Sequence, residues 1–357
     1  MPAQGINVAV TGASGYIGER VVAALCADPS VGSVLGFDVR EPRFQDPKFV
    51  FDQVDVRSPG LEARFRDVDV CVHLAFIMDP IHDEATMRDV NVNGSQNVFK
   101  CAARAKVGRI VYTSSAVVYG AHPDNDFPLT EESPLRANLD FSYPAHKLEV
   151  EYVIREVCEE FPDIRFTIFR PAIVFGGHVD NAWSHTLEMP ILFSVQGYRA
   201  PLQFVHEDDV ARAIHHAVTG DLDGVYNLAA PGFLTVEEML EIVDRRRFEL
   251  PEPLAFSIAE RMWKLGMSET PAGMLHYVMH PWVVATEKLE RAGFRCERTN
   301  RETFRETVER VAGHVRVGDR RFRRGDIVRG AVAGAGLVGA LVTLRTMRRG
   351  GLWPGAN

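Results

Sequence analysis

The chain predicts an α/β fold built on a Rossmann-like doubly wound parallel sheet, and three observations predict it. Strand-length apolar runs alternate with helix-length segments through the first half of the 357 residues. A glycine-rich turn, Thr11-Gly12-Ala13-Ser14-Gly15-Tyr16-Ile17-Gly18, follows the first apolar run, Ile6-Asn7-Val8-Ala9-Val10. The next run ends on an acid, Asp38, 26 residues after Gly12.

Taking the elements in order, strands are expected near 6–10, 33–37, 49–54, 69–74, 108–113 and 164–169. Helices are expected over about 15–27, 84–105 and 141–160. Past Arg170-Pro171 the pattern is less regular, with helices near 207–219, 235–248, 284–292 and 301–312. The division this suggests is a dinucleotide domain over 1–170, a substrate-binding lobe over 171–315 interleaved with it, and a tail over 316–357.

Composition narrows the class. With 46% hydrophobic residues the chain can bury a large core. Five scattered cysteines (Cys26, Cys71, Cys101, Cys158 and Cys296) with no Cys-x-x-Cys pair argue against a disulfide framework and against a zinc knuckle. Reduced thiols and a strand starting within a few residues of Met1 give a cytoplasmic expectation with no secretion signal. Residues 316–357 carry nine arginines against Asp319 and Asp326, a net +7, so residues 1–315 hold −15 of the overall −8. Acidity of the body speaks against nucleic acid as a partner.

Each site element has a chemical reason. Glycines at 12, 15 and 18 allow a sharp strand-to-helix turn whose amides meet a pyrophosphate. Asp38 is offset to bond ribose hydroxyls and to repel a 2′-phosphate, which favours NAD over NADP despite the neighbouring Arg40. Asp55-Val56 is positioned to meet the adenine edge, and Leu74-Ala75, after His73, to make backbone contact with the cofactor. His73 itself is read as a packed histidine.

Tyr143 and Lys147 lie four apart, on one face of the third helix. A tyrosine titrating near pH 10 needs adjacent positive charge to exchange protons near neutrality, and a lysine one turn away with an oxidised nicotinamide ring would provide it. Ser115, just after the fifth strand, would hold the substrate oxygen.

With these motifs in order, the chain resembles the extended short-chain dehydrogenase/reductases, in the NAD-dependent epimerase/dehydratase group. The resemblance runs over about residues 5–312 and includes Asn91-Val92-Asn93-Gly94-Ser95-Gln96-Asn97-Val98, Arg170-Pro171 and Phe204-Val205-His206-Glu207-Asp208-Asp209-Val210-Ala211. It implies a catalytic set of Tyr143, Lys147 and Ser115. It implies cofactor contacts from Gly12, Ser14, Gly15, Tyr16, Ile17, Gly18, Asp38, Asp55, Val56, Leu74, Ala75, Asn91, Tyr143, Lys147 and Pro171.

Departures from the family pattern narrow the chemistry. Ala116 and Val117 stand where dehydrating members have an Asp-Glu pair. Ala172-Ile173-Val174 and Leu202 stand where sugar-nucleotide epimerases have an asparagine and a phosphate-binding arginine. His206-Glu207-Asp208-Asp209 reads as a helix cap, and His276 with His280 lacks a third ligand, so no metal is expected.

The tail holds an apolar stretch, 327–344, interrupted only by Arg329. A helix of that length reaches about 27 Å, borderline for a bilayer, so the tail is a candidate for an apolar terminal helix and for membrane association. The two long helices of the first domain are a candidate homodimer face.

The sequence therefore supports an NAD-dependent oxidoreductase or epimerase working on a small-molecule secondary alcohol or ketone. Its alternatives are a dehydrogenase/reductase of an apolar alcohol or ketone, of the 3-beta-hydroxysteroid dehydrogenase kind, and a non-catalytic NAD-binding sensor or scaffold.

Overall fold

The computed structural model describes residues 5–317 and 320–323, apart from 190 and 244. Seven strands form one all-parallel sheet: β1 (Ile6–Thr11), β2 (Val31–Asp38), β3 (Phe49–Gln53), β4 (Val70–His73), β5 (Arg109–Thr113), β6 (Arg165–Pro171) and, after three strands outside this sheet, β10 (Gly224–Leu228). Their order is β10-β6-β5-β4-β1-β2-β3. The order reverses between β1 and β4, the kind of switch point where open α/β sheets bind ligands beyond the strands' carboxyl ends.

Alternation along the central strands feeds two cores. Val8, Val10, Val72 and Val111 pack on the helices Tyr16–Ala27 and Glu207–Thr219. Ala9, Cys71, Ile110 and Ile168 face the helices Gly94–Arg104 and Ser142–Glu160. Strands buried on both faces need apolar residues at nearly every position, which these have. Each fully buried valine or isoleucine contributes about 1.5–3 kcal/mol.

The helix expected over 84–105 is present, but its turns at Asp89–Asn93 are widened to π geometry. Asn91 lies inside that widened segment.

The second half departs further from expectation. Residues 224–228 form the seventh strand, paired with β6, so the chain returns to the main sheet after leaving it. The helix expected over 235–248 stops at Ile242. Residues Arg246–Leu250 (β11) instead pair in parallel with Ile191–Val195 (β8), and this long-range pairing overrides local helix propensity. A helix over Glu252–Lys264 follows, its start hidden in the sequence by Pro251 and Pro253, which a helical first turn tolerates. Ile173–Phe175 (β7) and Phe204–His206 (β9) form a further small parallel pair. The apolar stretch 327–344 lies outside the described residues. Among the described residues no helix is long and apolar enough to cross a membrane.

Candidate active site

The glycine turn is closed by backbone contacts. The Gly12 amide donates to the Phe37 carbonyl at 2.8 Å, and the Gly15 amide to the Gly12 carbonyl at 3.0 Å. Gly12 has φ +71°, and a Cβ there would lie 2.6 Å from the Ala75 nitrogen. A Cβ on Gly18 would lie 2.0 Å from the Gly12 carbonyl oxygen, so only glycine fits. Gly15 caps the Tyr16–Ala27 helix with no side-chain acceptor. The first-turn amides of that helix, Ile17 and Gly18 among them, are therefore available as donors to an anionic group.

Asp38 sits beside this turn, nearly buried. One carboxylate oxygen accepts the Ser14 amide at 3.1 Å and the other the Arg40 amide at 3.0 Å. The Ser14 hydroxyl donates to the Arg40 carbonyl at 2.6 Å, while the Arg40 guanidinium stays 3.9 Å from Asp38 with its side chain 72% exposed. The loop thus holds a fixed acid beside the glycine turn. These features fit a dinucleotide: a cradle that any side chain would fill, free amides and a pre-oriented carboxylate.

Five other residues expected at the cofactor bond to protein groups. Asp55 accepts the Arg57 amide and side chain, and that guanidinium holds its carboxyl below the usual range. Val56 is buried, and its carbonyl accepts from Asn97 at 2.7 Å. Asn91 clips the loop after β4, accepting the Ile77 amide at 2.7 Å and donating to the Ile77 carbonyl at 3.0 Å. Tyr16 donates its hydroxyl to Glu207, which also pairs with Arg20 at 2.6 Å. Leu74 donates its amide to the Thr11 carbonyl at 3.1 Å, which fixes the Leu74-Ala75 backbone against the glycine turn.

His73 is a packed residue, as its sequence context suggests. Its ring nitrogens meet Thr11 Oγ1 at 2.6 Å and Ser95 Oγ at 2.9 Å, and burial pushes its pKa down to about 3. His206 caps the Glu207–Thr219 helix, accepting the Asp208 amide at 3.2 Å, with three acids in the favourable first turn.

Ser115, Tyr143 and Lys147 converge at the carboxyl end of β5. Ser115 caps the short 3₁₀ turn Ala116–Tyr119, is nearly buried, and lies 3.5 Å from the Pro171 carbonyl. It also lies close enough to the Tyr143 hydroxyl to favour the phenolate, although burial dominates and pushes that phenol up to about 12. Lys147 donates to the Thr113 carbonyl at 2.8 Å and lies 3.4 Å from the Tyr112 hydroxyl. Burial pushes its ammonium down to about 7, against the opposing pull of Glu151. Its Nζ stands 3.6 Å from the centre of the Phe76 ring and 5.9 Å from that of Tyr143. Sequence reasoning expected the lysine to draw the tyrosine down; the group that lowers the phenol here is Ser115, and desolvation of the phenol outweighs it.

Beneath this site runs a buried polar network that the sequence reading did not assemble. Ser114 donates to Glu151 at 2.6 Å, and Arg170 clamps Glu151 through Nε at 3.0 Å and Nη2 at 2.6 Å. Arg170 reaches on to the Tyr119 hydroxyl at 2.8 Å, which donates to Asn227 at 2.7 Å. The signal for Glu151 was present, since it follows Lys147 by one further turn; its partner is 19 residues away. Asp79, also missed, accepts the Ala182 amide at 3.0 Å and adds negative charge near Tyr143.

Two hollows accompany the site. One, of about 400 Å³, lies at the amino ends of the strands beside Ile6, Asp69 and Arg109, on the opposite edge from Ser115. The other, of about 320 Å³, lies in the second lobe between the β8/β11 ribbon and the Val236–Ile242 helix. Trp183, Met239 and Phe175 of its wall belong to the same apolar cluster as Tyr143.

The sequence profile of the NAD dependent epimerase/dehydratase family matches residues 8–229. An uncharacterised protein of Mycobacterium tuberculosis is 30% identical over 258 residues, 69% of this chain and 67% of its own length. The N-acetyl-alpha-D-glucosaminyl-diphospho-ditrans,octacis-undecaprenol 4-epimerase of Escherichia coli is 30% identical over 173 residues, 48% of this chain and 49% of its own. Among solved structures, a UDP-glucose 4-epimerase of Thermus thermophilus in complex with NAD superposes with a TM-score of 0.67 at 21% identity, over 86% of this chain and 99% of that one.

Proposed function

The chain belongs to the NAD dependent epimerase/dehydratase family, and from that premise we propose that it is an NAD-dependent oxidoreductase or epimerase acting at a secondary alcohol or ketone. One observation supports this reading: Ser115 and Tyr143 lie beside the buried Lys147 at the sheet edge that also bears the glycine turn. The E. coli relative and the Thermus neighbour are both 4-epimerases by name, which supports hydride chemistry at a carbinol carbon.

Bound NAD supplies the hydride acceptor and donor. Gly12, Gly15 and Gly18 would bring backbone against its phosphates, and Asp38 would hold the adenosine ribose. A carboxylate with little room around it favours NAD over NADP. Ser115 fixes the substrate oxygen by hydrogen bonding, and Tyr143 takes its proton on oxidation and returns it on reduction. Lys147, held by the Thr113 carbonyl, places positive charge behind the phenol so that the phenolate is tolerated. Ala116 and Val117 are buried and have no proton to exchange, which argues against dehydration.

The test begins with the nucleotide released when purified protein is denatured, identified by mass, and with its exchange against added NADH. Tightly held NAD that resists exchange indicates a cofactor recycled in each turnover, hence an epimerase; free exchange indicates net dehydrogenation or reduction. Tyr143→Phe should keep nucleotide binding and lower turnover about 10²- to 10⁴-fold. A chain with no affinity for NAD or NADH, or an unchanged rate in Tyr143→Phe, rejects the reading.

A further inference from the structure

We propose that the second-lobe cavity binds the non-reacting part of the substrate and that this part is hydrocarbon, an isoprenoid chain or a fused-ring skeleton, and not a nucleoside diphosphate. The proposal rests on the reading of Ser115, Tyr143 and Lys147 as the site of hydride chemistry, and specifies what is presented to them.

The cavity, about 320 Å³, is at the small end of the range for ligand pockets. Its walls are contributed by the helices Ala182–Thr186, Val236–Ile242 and Glu252–Lys264 and by β8 and β11. Apolar side chains such as Trp183, Leu192, Met239, Leu240 and Met274 dominate them. Arg247 is the one charged group among the described lining residues, and it is already engaged. Its Nε donates to Ser194 Oγ at 2.7 Å, and its Nη2 pairs with Glu249 at 3.0 Å. A diphosphate carries two negative charges and needs free cations or clustered amides. Among the described lining residues there is no unengaged cation, whereas hydrocarbon gains free energy from contact with the apolar wall.

The rim points the same way. Phe193 and Phe248 are paired across β8 and β11 and pack edge to face at 6.3 Å, yet remain 61% and 54% exposed. Exposed aromatic pairs beside an apolar cavity suit an entrance for a ligand that avoids water. The cavity wall and the site share one apolar cluster, in which Trp183 lies 6.4 Å from Trp282, Trp282 5.2 Å from Tyr277, and Tyr277 6.2 Å from Phe141, whose ring is 6.2 Å from that of Tyr143.

The experiment titrates the full chain with farnesol, with a 3-hydroxysteroid and with UDP, following tryptophan fluorescence, to which Trp183 in the cavity wall contributes. Saturable binding of farnesol or the steroid, weakened at least tenfold in Leu240→Arg and unaffected by UDP, is the expected result; which of the two binds separates chain from ring skeleton. Should Leu240→Arg lose the native far-UV circular dichroism, Leu240→Gln replaces it. Saturable binding of UDP, or no binding of either apolar probe to natively folded protein, overturns the proposal. Binding is read without turnover, so its failure is distinct from failure of the hydride reading, which Tyr143→Phe and NADH exchange address.

Discussion

The carboxyl edge of the sheet and the second-lobe cavity solve opposite problems. At the sheet edge nearly every polar group is buried with an assigned partner: Thr11 on His73, His73 on Ser95, Ser114 and Arg170 on Glu151, Tyr119 on Asn227. In the cavity wall directional contacts are few, and shape comes from side chains such as Met239 and Leu240 that can repack. Proton and hydride transfer require atoms fixed to a fraction of an ångström, which hydrogen-bond networks provide. Selection of an apolar body requires only volume and water exclusion. The difference predicts that changes at the edge are costly and specific, while changes in the cavity wall are cheap for the fold and matter for the ligand.

Arg170→Met is the sharpest attempt to break that contrast. It leaves the Glu151 carboxylate buried without its clamp, and the expected loss, read by urea unfolding, is about 3–5 kcal/mol. A loss below about 1 kcal/mol would mean that the network is ornamental to stability. Gly18→Val comes next. Its Cβ would meet the Gly12 carbonyl oxygen at 2.0 Å, so the turn must shift, with an expected cost of about 1–3 kcal/mol and loss of NADH binding by fluorescence titration. Retained affinity for NADH would remove the glycine turn from the cofactor site.

His73 sharpens the comparison through pH. Its pKa falls from 6.5 to about 3 on folding, so the unfolded chain takes up a proton first as pH drops. The stability linked to this group is therefore complete above pH 6.5 and declines as pH falls towards 3, by about 1.4 kcal/mol per pH unit. Urea midpoints at a series of pH values should show His73→Asn with a slope shallower by that amount; an equal slope would mean that His73 does not stay neutral. The smallest effect is expected at the cavity rim, where Phe193→Ser should change stability by no more than about 0.5 kcal/mol while weakening apolar probes. A large destabilisation there would mean that the rim supports the fold and is no entrance.

What the sequence made legible follows the same division. The glycine turn, the Tyr143/Lys147 spacing and the first six strands were readable because each is a local pattern with a local physical cause. The seventh strand, Gly224–Leu228, was not, since it is recruited by pairing with β6 more than fifty residues earlier. The cavity was hidden for a related reason: its ribbon joins Ile191–Val195 to Arg246–Leu250, and residues 245–247 read equally well as the end of a helix. Glu151 lay in plain view on the helix of Tyr143 and Lys147, but its clamp depends on Arg170, which no spacing rule connects to it. The calming of Asp55 by Arg57, and of Tyr16 by Glu207, likewise required coordinates.

Phenol, ammonium and carboxylate occupy three successive turns of the Ser142–Glu160 helix, at 143, 147 and 151. The first two are the proposed proton-exchange pair, and the third is anchored on Arg170. A single residue inserted between 143 and 151 would rotate one end about 100° against the other and advance it about 1.5 Å. The reacting groups would then be out of phase with their own foundation, although composition and helix propensity were unchanged. Length, more than residue identity, is the quantity this eight-residue span conserves in its geometry, and homologous chains should differ in the loops around it long before they differ in its count.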